Sequence, residues 1–177
     1  FTKPSYGISE RALVSFMGRV RYSYDSRYLF SAAVRVDGSS VFGKDNKYGI
    51  FPSGAFAWRI NKEPWMNSSE KWLSNLKLRL SYGEVGNQAV DPYTTLGTTS
   101  TYYNEFTNSV IGFLPTTTLY NPNLKWETSA TSNIGLDFGF FKDRINGSVE
   151  IYNTDTRDLL VTRQIPSSTG YDSQLAN

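Results

Sequence analysis

From Trp126 to Phe140 the chain alternates without a break. Trp126, Thr128, Ala130, Ser132, Ile134, Leu136, Phe138 and Phe140 occupy one set of positions. Glu127, Ser129, Thr131, Asn133, Gly135, Asp137 and Gly139 occupy the other. All the large apolar side chains fall in the first set, and the second is polar or glycine throughout. Successive side chains of an extended chain point to opposite faces, so the spacing predicts a strand with one apolar and one wet face. A tight turn at Lys142-Asp143 follows, after which Ile145, Gly147, Val149 and Ile151 oppose Asn146, Ser148, Glu150 and Tyr152. This is a hairpin whose arms are two to three times the usual strand of roughly 5–6 residues.

The same period organises the first half. Val14, Phe16, Gly18, Val20, Tyr22 and Tyr24 oppose Ser15, Met17, Arg19, Arg21 and Ser23. Asp25-Ser26 reads as a two-residue turn, and Tyr28, Phe30, Ala32, Val34 and Val36 return on the apolar face. A polar loop, Gly38 to Lys47, leads to a third strand from Tyr48 to Ile60, with Pro52 near its start. Asn61 to Asn75 is a moderate connection with one short helical turn, and Leu76 to Gly83 is a fourth strand. Glu84 to Asn123 then reads as a loop, long for a compact domain. Connections thus alternate, short or moderate at one end of the sheet and including a very long one at the other. That asymmetry marks outer-membrane barrels.

Composition removes several chemistries. The 177 residues contain no cysteine and no histidine, so there is no disulfide, thiolate nucleophile, Ser-His-Asp triad or imidazole zinc site. The net charge of +2 gives no footprint for nucleic acid. No apolar run approaches the ~18 residues of a membrane helix, which leaves a membrane barrel open. The chain opens at Phe1 without a recognisable signal segment, and six up-and-down strands cannot close a barrel, since small ones need about eight. The expected architecture is all-β, an antiparallel up-and-down transmembrane barrel represented by about six consecutive strands. Residues 1–177 would form part of one barrel domain.

A soluble sandwich also has one apolar face per sheet, so alternation alone leaves both solvents open. Three features favour lipid. The arms are long enough, when tilted about 40°, to cross a hydrocarbon layer of about 25 Å. Aromatic residues gather at strand ends on the apolar face: Tyr22, Tyr24, Tyr28, Trp58, Phe138 and Phe140. The opposite face carries Arg19, Arg21, Arg35, Arg59, Lys77, Arg79, Asp37, Glu127, Asp137 and Glu150, a charge load suited to a water-filled lumen.

Four blocks carry a family resemblance. They are RVRYSYDSRYLFSAAVRVDGSSVFGKDNKYGIFPSGAFAWRI (Arg19–Ile60), LKLRLSYGEVGNQ (Leu76–Gln88), NPNLKWETSATSNIGLDFGFFKDRINGSVEIYNTDTRDLL (Asn121–Leu160) and IPSSTGY (Ile165–Tyr171). Together, in this order, they resemble the barrel of SusC/RagA-type TonB-dependent transporters. The resemblance implies a barrel of about 22 strands around an N-terminal plug. It also implies a Gram-negative outer-membrane location, energy drawn through the TonB complex and a SusD-like surface lipoprotein as a lid. The implied cargo is an oligosaccharide or oligopeptide. The plug, the signal peptide and the remaining strands would lie outside these residues. Val41 departs from the family pattern, which carries a basic residue just before this Phe-Gly.

Candidate chemistry is sparse, and no enzyme activity, cofactor or metal is expected. The lumen charges either steer a polar substrate or hold one another in a cross-strand lattice, with Arg79 and Asp137 expected as close neighbours. Tyr93, Tyr102, Tyr103, Phe106, Phe113 and Tyr120 supply rings for a sugar or a partner protein, or for packing within the loops. Asn153, Asp155 and Asp158 have calcium-loop spacing without the glycine and distal glutamate, and read as a strand end. Trp65 and Trp72 read as interfacial anchors. A soluble all-β carbohydrate-binding or adhesion module and a passive porin are the rival functions.

Overall fold

The computed structural model describes residues 8–103, 110–115 and 117–177. Six long strands form one antiparallel sheet in the order β1-β2-β3-β4-β8-β9. They are β1 (Leu13–Tyr24), β2 (Tyr28–Ser39), β3 (Tyr48–Arg59), β4 (Leu73–Asn87), β8 (Glu127–Phe140) and β9 (Ile145–Arg157). Between β4 and β8 come a hairpin, β5 (Thr99–Tyr103) with β6 (Val110–Pro115), and the short β7 (Thr118–Leu119). After β9, β10 (Val161–Gln164) and β11 (Ser173–Ala176) form a second small sheet, where β11 pairs antiparallel with β10 and parallel with β7.

Register confirms the division into faces. Tyr22 lies opposite Phe30, Phe30 opposite Phe56, Phe56 opposite Leu80, Leu80 opposite Ile134 and Ile134 opposite Ile151. The row is apolar across all six strands, and nothing in the described chain covers it: Tyr22 is 59 % exposed, Ile134 54 % and Ile151 72 %. A contiguous apolar face of this kind is what soluble surfaces keep small. Aromatic pairs rim the face near the short turns. Tyr24 stacks on Tyr28, Tyr28 on Trp58 and Trp72 on Phe140 at ring separations of 6.3, 6.3 and 5.9 Å. Phe138 lies over Gly147 of the next strand, where a Cβ would strike its ring.

The structure corrects the sequence expectation at several points. The first turn includes Arg27, because Tyr24 pairs with Tyr28 and the Arg27 N–H returns to the Tyr24 carbonyl at 3.0 Å. Asp25 and Ser26 hold left-handed backbone there (φ 49° and 51°). β4 is longer than its apolar run, since its Glu84–Asn87 segment pairs with residues 127–130 of β8 despite its polar content. The long connection after β4 contains β5, β6 and β7 rather than being a bare loop.

Trp126 does not belong to the apolar sheet face. It precedes β8 and is buried with Val41, Phe42, Phe51, Val90 and Leu124 in a small core at the end opposite the short turns. The β3–β4 ladder stops at Ser53 and Gly83, although both strands continue, and this core fills the opening. Phe51 lies so close to Gly86 that any Cβ on Gly86 would enter its ring. Val41, the departure from the family pattern, is 1 % exposed, so a charge there would be buried.

The two faces predict opposite responses to the same substitution. In the intact protein, Ile134→Arg should reduce the free energy of folding into lipid bilayers by about 2–4 kcal/mol, the cost of a basic residue near the midplane. Ser81→Arg on the other face should cost under about 1 kcal/mol. Urea titration of folding into liposomes measures both, and equal effects would contradict the facing described.

Candidate functional site

The polar face divides into two parts. Across β4, β8 and β9 the charges neutralise one another. Arg79 donates to both Asp137 oxygens at 2.8 and 3.0 Å and to Glu150 at 2.5 Å, while Lys77 reaches Asp137 at 2.9 Å. Lys77 and Asp137 are register partners, whereas Arg79 and Glu150 face each other across Gly135. A Cβ on Gly135 would stand 3.0 Å from Arg79 Nη2 and 3.1 Å from its Cζ, so glycine here lets the guanidinium lie on the β8 backbone. Arg79 and Asp137 therefore meet as the register expects, within a larger three-strand lattice.

Across β1–β3 the face is basic. Arg35 bonds Asp37 at 2.7 Å and lies 5.7 Å from the centre of the Phe51 ring. Among the described residues, Arg19, Arg21 and Arg59 form no ion pair with a carboxylate; Arg59 Nη1 donates to the Ser26 carbonyl at 3.4 Å. Between the arginines and the lattice lie Ser31, Ala33, Ser53, Ala55, Ser81, Gly83, Thr131 and Asn133, so the middle of the face is flat. Glu127 is used structurally: its carboxylate accepts Asn87 Nδ2 and the Leu160 N–H, each at 3.0 Å, joining the exit of β9 to the start of β8.

Of the six loop aromatics, Tyr93 and Tyr120 have described side chains, and both residues line one cavity. The Tyr93 side chain lines two cavities, and its hydroxyl accepts the Glu10 N–H at 3.3 Å. Tyr120 faces the first cavity and packs against Gly97, where a Cβ would sit 3.3 Å from the ring. Phe106 and the side chains of Tyr102, Tyr103 and Phe113 lie outside the described residues. Asn153 and Asp155 sit on β9 opposite Ser132 and Ala130, and Asp155 pairs with Arg157 at 3.2 Å. Among the described residues no three His, Cys, Asp or Glu side chains converge as a metal site.

Sequence reading missed Glu63, in the connection between β3 and β4. Its buried carboxylate accepts Tyr28 Oη at 2.6 Å, Trp58 Nε1 at 2.9 Å and Arg27 Nη1 at 3.2 Å. Two rings of the aromatic rim and the first turn are thereby tied to the second. These donors, the Tyr28 hydroxyl first, hold the Glu63 pKa below the usual glutamate value. The available signal was Glu63-Pro64 opening a helical turn, but its partners come from two earlier strand ends.

Two predictions follow from these contacts in the intact protein. Because the folded carboxylate is more acidic than the unfolded one, Glu63 contributes stability that is fully present above about pH 5 and lost as the pH falls below about 4.5. Glu63→Gln should therefore lower the thermal midpoint at pH 7 and flatten its decline in acid, as read by heat-modifiable gel mobility. Gly135→Val should cost about 1 kcal/mol by lifting Arg79 off β8. A double-mutant cycle checks it: in an Arg79→Ala background the Gly135→Val cost should shrink, and an unchanged cost would place the damage elsewhere.

A family model described as TonB dependent receptor-like, beta-barrel matches residues 2–177. Among curated relatives, TonB-dependent receptor P3 of Formosa agariphila is 42 % identical over 175 residues, 99 % of this chain and 17 % of its own length. TonB-dependent receptor SusC of Bacteroides thetaiotaomicron is 40 % identical over 171 residues, 94 % of this chain and 17 % of its own. The chain thus spans about a sixth of the relatives it matches. A solved structure of the RagAB peptide transporter superposes with a TM-score of 0.85 at 32 % identity, over 96 % of this chain and 18 % of that one. Matching over nearly the whole chain, on a sheet with one lipid-like and one charged face, leads to a single assignment: the chain belongs to the TonB-dependent receptor β-barrel family, in its SusC/RagA type.

Proposed function

We propose that this chain is part of the wall of a TonB-dependent outer-membrane importer that takes up a nutrient too large for passive pores, an oligosaccharide or oligopeptide. In this reading further strands close the cylinder beyond β1 and β9, the protein performs no catalysis, and it works with a SusD-like surface lipoprotein and the TonB complex. The observation that carries the reading is a single sheet with an uncovered apolar face rimmed by aromatics and a charged reverse face. A soluble binding module would bury the first face, and Val20, Ile134 and Ile151 remain open. The likeness to SusC and to the RagAB peptide transporter supports import by an energised complex.

Genetic uptake measurements test the reading. Deleting the gene should reduce uptake of at least one oligosaccharide or oligopeptide tenfold or more, and removing TonB function should reduce it equally. Uptake lost on gene deletion but indifferent to TonB would identify a passive porin. No loss for any nutrient on which the organism grows would reject import.

A further inference from the structure

At the short-turn end, the connection between β3 and β4 is bonded to the turn between β8 and β9. The Phe141 N–H donates to the Trp72 carbonyl at 2.8 Å, which sets Lys71 and Trp72 alongside Phe141 and Lys142. Ser74 is passed over where the β4–β8 register shifts between Leu73 and Asn75, and its hydroxyl accepts the Asp143 N–H at 3.1 Å. Phe141, Lys142 and Asp143 hold consecutive left-handed backbone conformations (φ 53°, 60° and 61°). Residues with a Cβ adopt these at a cost, and the two bonds keep the turn in one shape. The Trp72 ring stacks on Phe140 at 5.9 Å, at the last row of the apolar face, where Phe140 pairs with Ile145. Trp72, Phe141 and Ile145 are all exposed there. Lys71, Lys142 and Arg144, also exposed, adjoin this aromatic edge in the chain. The Asp143 carboxylate lies against Gly139, whose position alternates with Phe138 and Phe140 and so belongs to the water-facing side. The edge thus carries three basic residues beside one further acidic neighbour, the exposed Glu70.

We propose that this edge binds the phosphodiester headgroup of an anionic phospholipid, whose acyl chains lie on the row of Phe140 and Ile145. The inference rests on the outer-membrane reading, in which short turns face the periplasm and meet the phospholipid leaflet. Tryptophan rings settle where hydrocarbon gives way to headgroups, so Trp72 brings the adjoining cations to the level of the phosphates. Lysine and arginine donate charge-assisted hydrogen bonds to phosphate oxygens. Each basic residue beside an anionic lipid surface strengthens attachment about fivefold. A zwitterionic headgroup carries its own ammonium, which neutralises the phosphate and competes with Lys71, Lys142 and Arg144 for its oxygens. Phosphatidylglycerol keeps its net charge and offers hydroxyls instead. Directing Asp143 to the water side takes a carboxylate out of the phosphate's approach. Because the turn is bonded to the β3–β4 connection, cations from two separate segments are held at one edge before any lipid arrives.

Competition between two phospholipids tests the site. The purified intact transporter, stripped of lipid, is offered equimolar phosphatidylglycerol and phosphatidylethanolamine with the same acyl chains. Native mass spectrometry counts each lipid retained. Wild type should prefer phosphatidylglycerol by about tenfold, and Lys71→Gln/Lys142→Gln/Arg144→Gln should cut the preference to about twofold or less. The charge-preserving variant Lys71→Arg/Lys142→Arg/Arg144→Lys should keep it. So should Lys44→Gln/Lys47→Gln, which removes two exposed cations at the opposite end of the sheet. Heat-modifiable mobility checks that every variant is a folded barrel. No preference in wild type, a preference indifferent to the triple glutamine variant, or an equal loss from Lys44→Gln/Lys47→Gln would overturn the proposal. Cellular uptake keeps it apart from import. If gene deletion abolishes uptake while wild type shows no lipid preference, import stands and the lipid site fails. If the preference behaves as stated while gene deletion changes nothing, the lipid site stands and import fails.

Discussion

A sheet one residue thick separates two incompatible solvents here, and the β pleat is what sorts them. Backbone groups inside hydrocarbon have no water to bond, so strands must pair completely across the span. The register does this from β1 to β9 in the rows from Gly54 to Trp58 of β3, and the β3–β4 ladder ends at Ser53 and Gly83. Once pairing fixes parity, every side chain is committed to lipid or to water, and a slip of one residue would move Arg79 and Asp137 into the hydrocarbon. The exposed apolar area is therefore a statement about solvent.

On the water side, charge is placed where geometry can satisfy it. The Arg79 lattice exists because Gly135 leaves room for a guanidinium to cross β8, and because Asp137 on β8 and Glu150 on β9 lie within its reach on the two successive strands. Such partly exposed pairs add little stability singly, but a shared bidentate arginine fixes three strands against one another. On the β1–β3 side Arg35 is paired with Asp37, whereas Arg19 and Arg21 have no carboxylate partner among the described residues and make that part of the face positive.

Period two made the strands legible because each has a different environment on its two faces. The same rule failed at Trp126, where parity continues past the point at which the chain leaves the sheet. Nothing in the local sequence tells a lipid-facing tryptophan from one turned inward to bond the Lys47 carbonyl at 3.1 Å. It failed in the other direction at Glu84–Asn87, whose polar residues are strand because β8 supplies partners beyond the membrane. Glu63 was invisible for a third reason: its role is a meeting of residues 27, 28 and 58, separated in sequence by a full hairpin. The parallel contact between β7 and β11 likewise joins segments some fifty residues apart, with no periodic signal in strands this short.

The two ends of the sheet solve different mechanical problems. At the short-turn end, one carboxylate binds aromatic rings that already belong to the rim, so order is gained with few residues. At the other end β3 and β4 separate above Ser53 and Gly83, and an unfilled opening there would leave strand edges without partners. Phe51, Phe42 and Trp126 close it, with ring separations of 5.0 and 5.6 Å, and Gly49 and Gly86 are glycines because the Phe51 ring occupies the space of their side chains. This core lies directly beneath the 89–98 segment, to which it is tied by Val90 and by the Thr95 hydroxyl bond to the Val41 carbonyl at 3.3 Å. The 89–98 segment thus starts from a rigid base, on which Tyr93 can be held in a costly backbone conformation. A wall built this way anchors the 89–98 segment on the core without disturbing the pairing that keeps water and lipid apart.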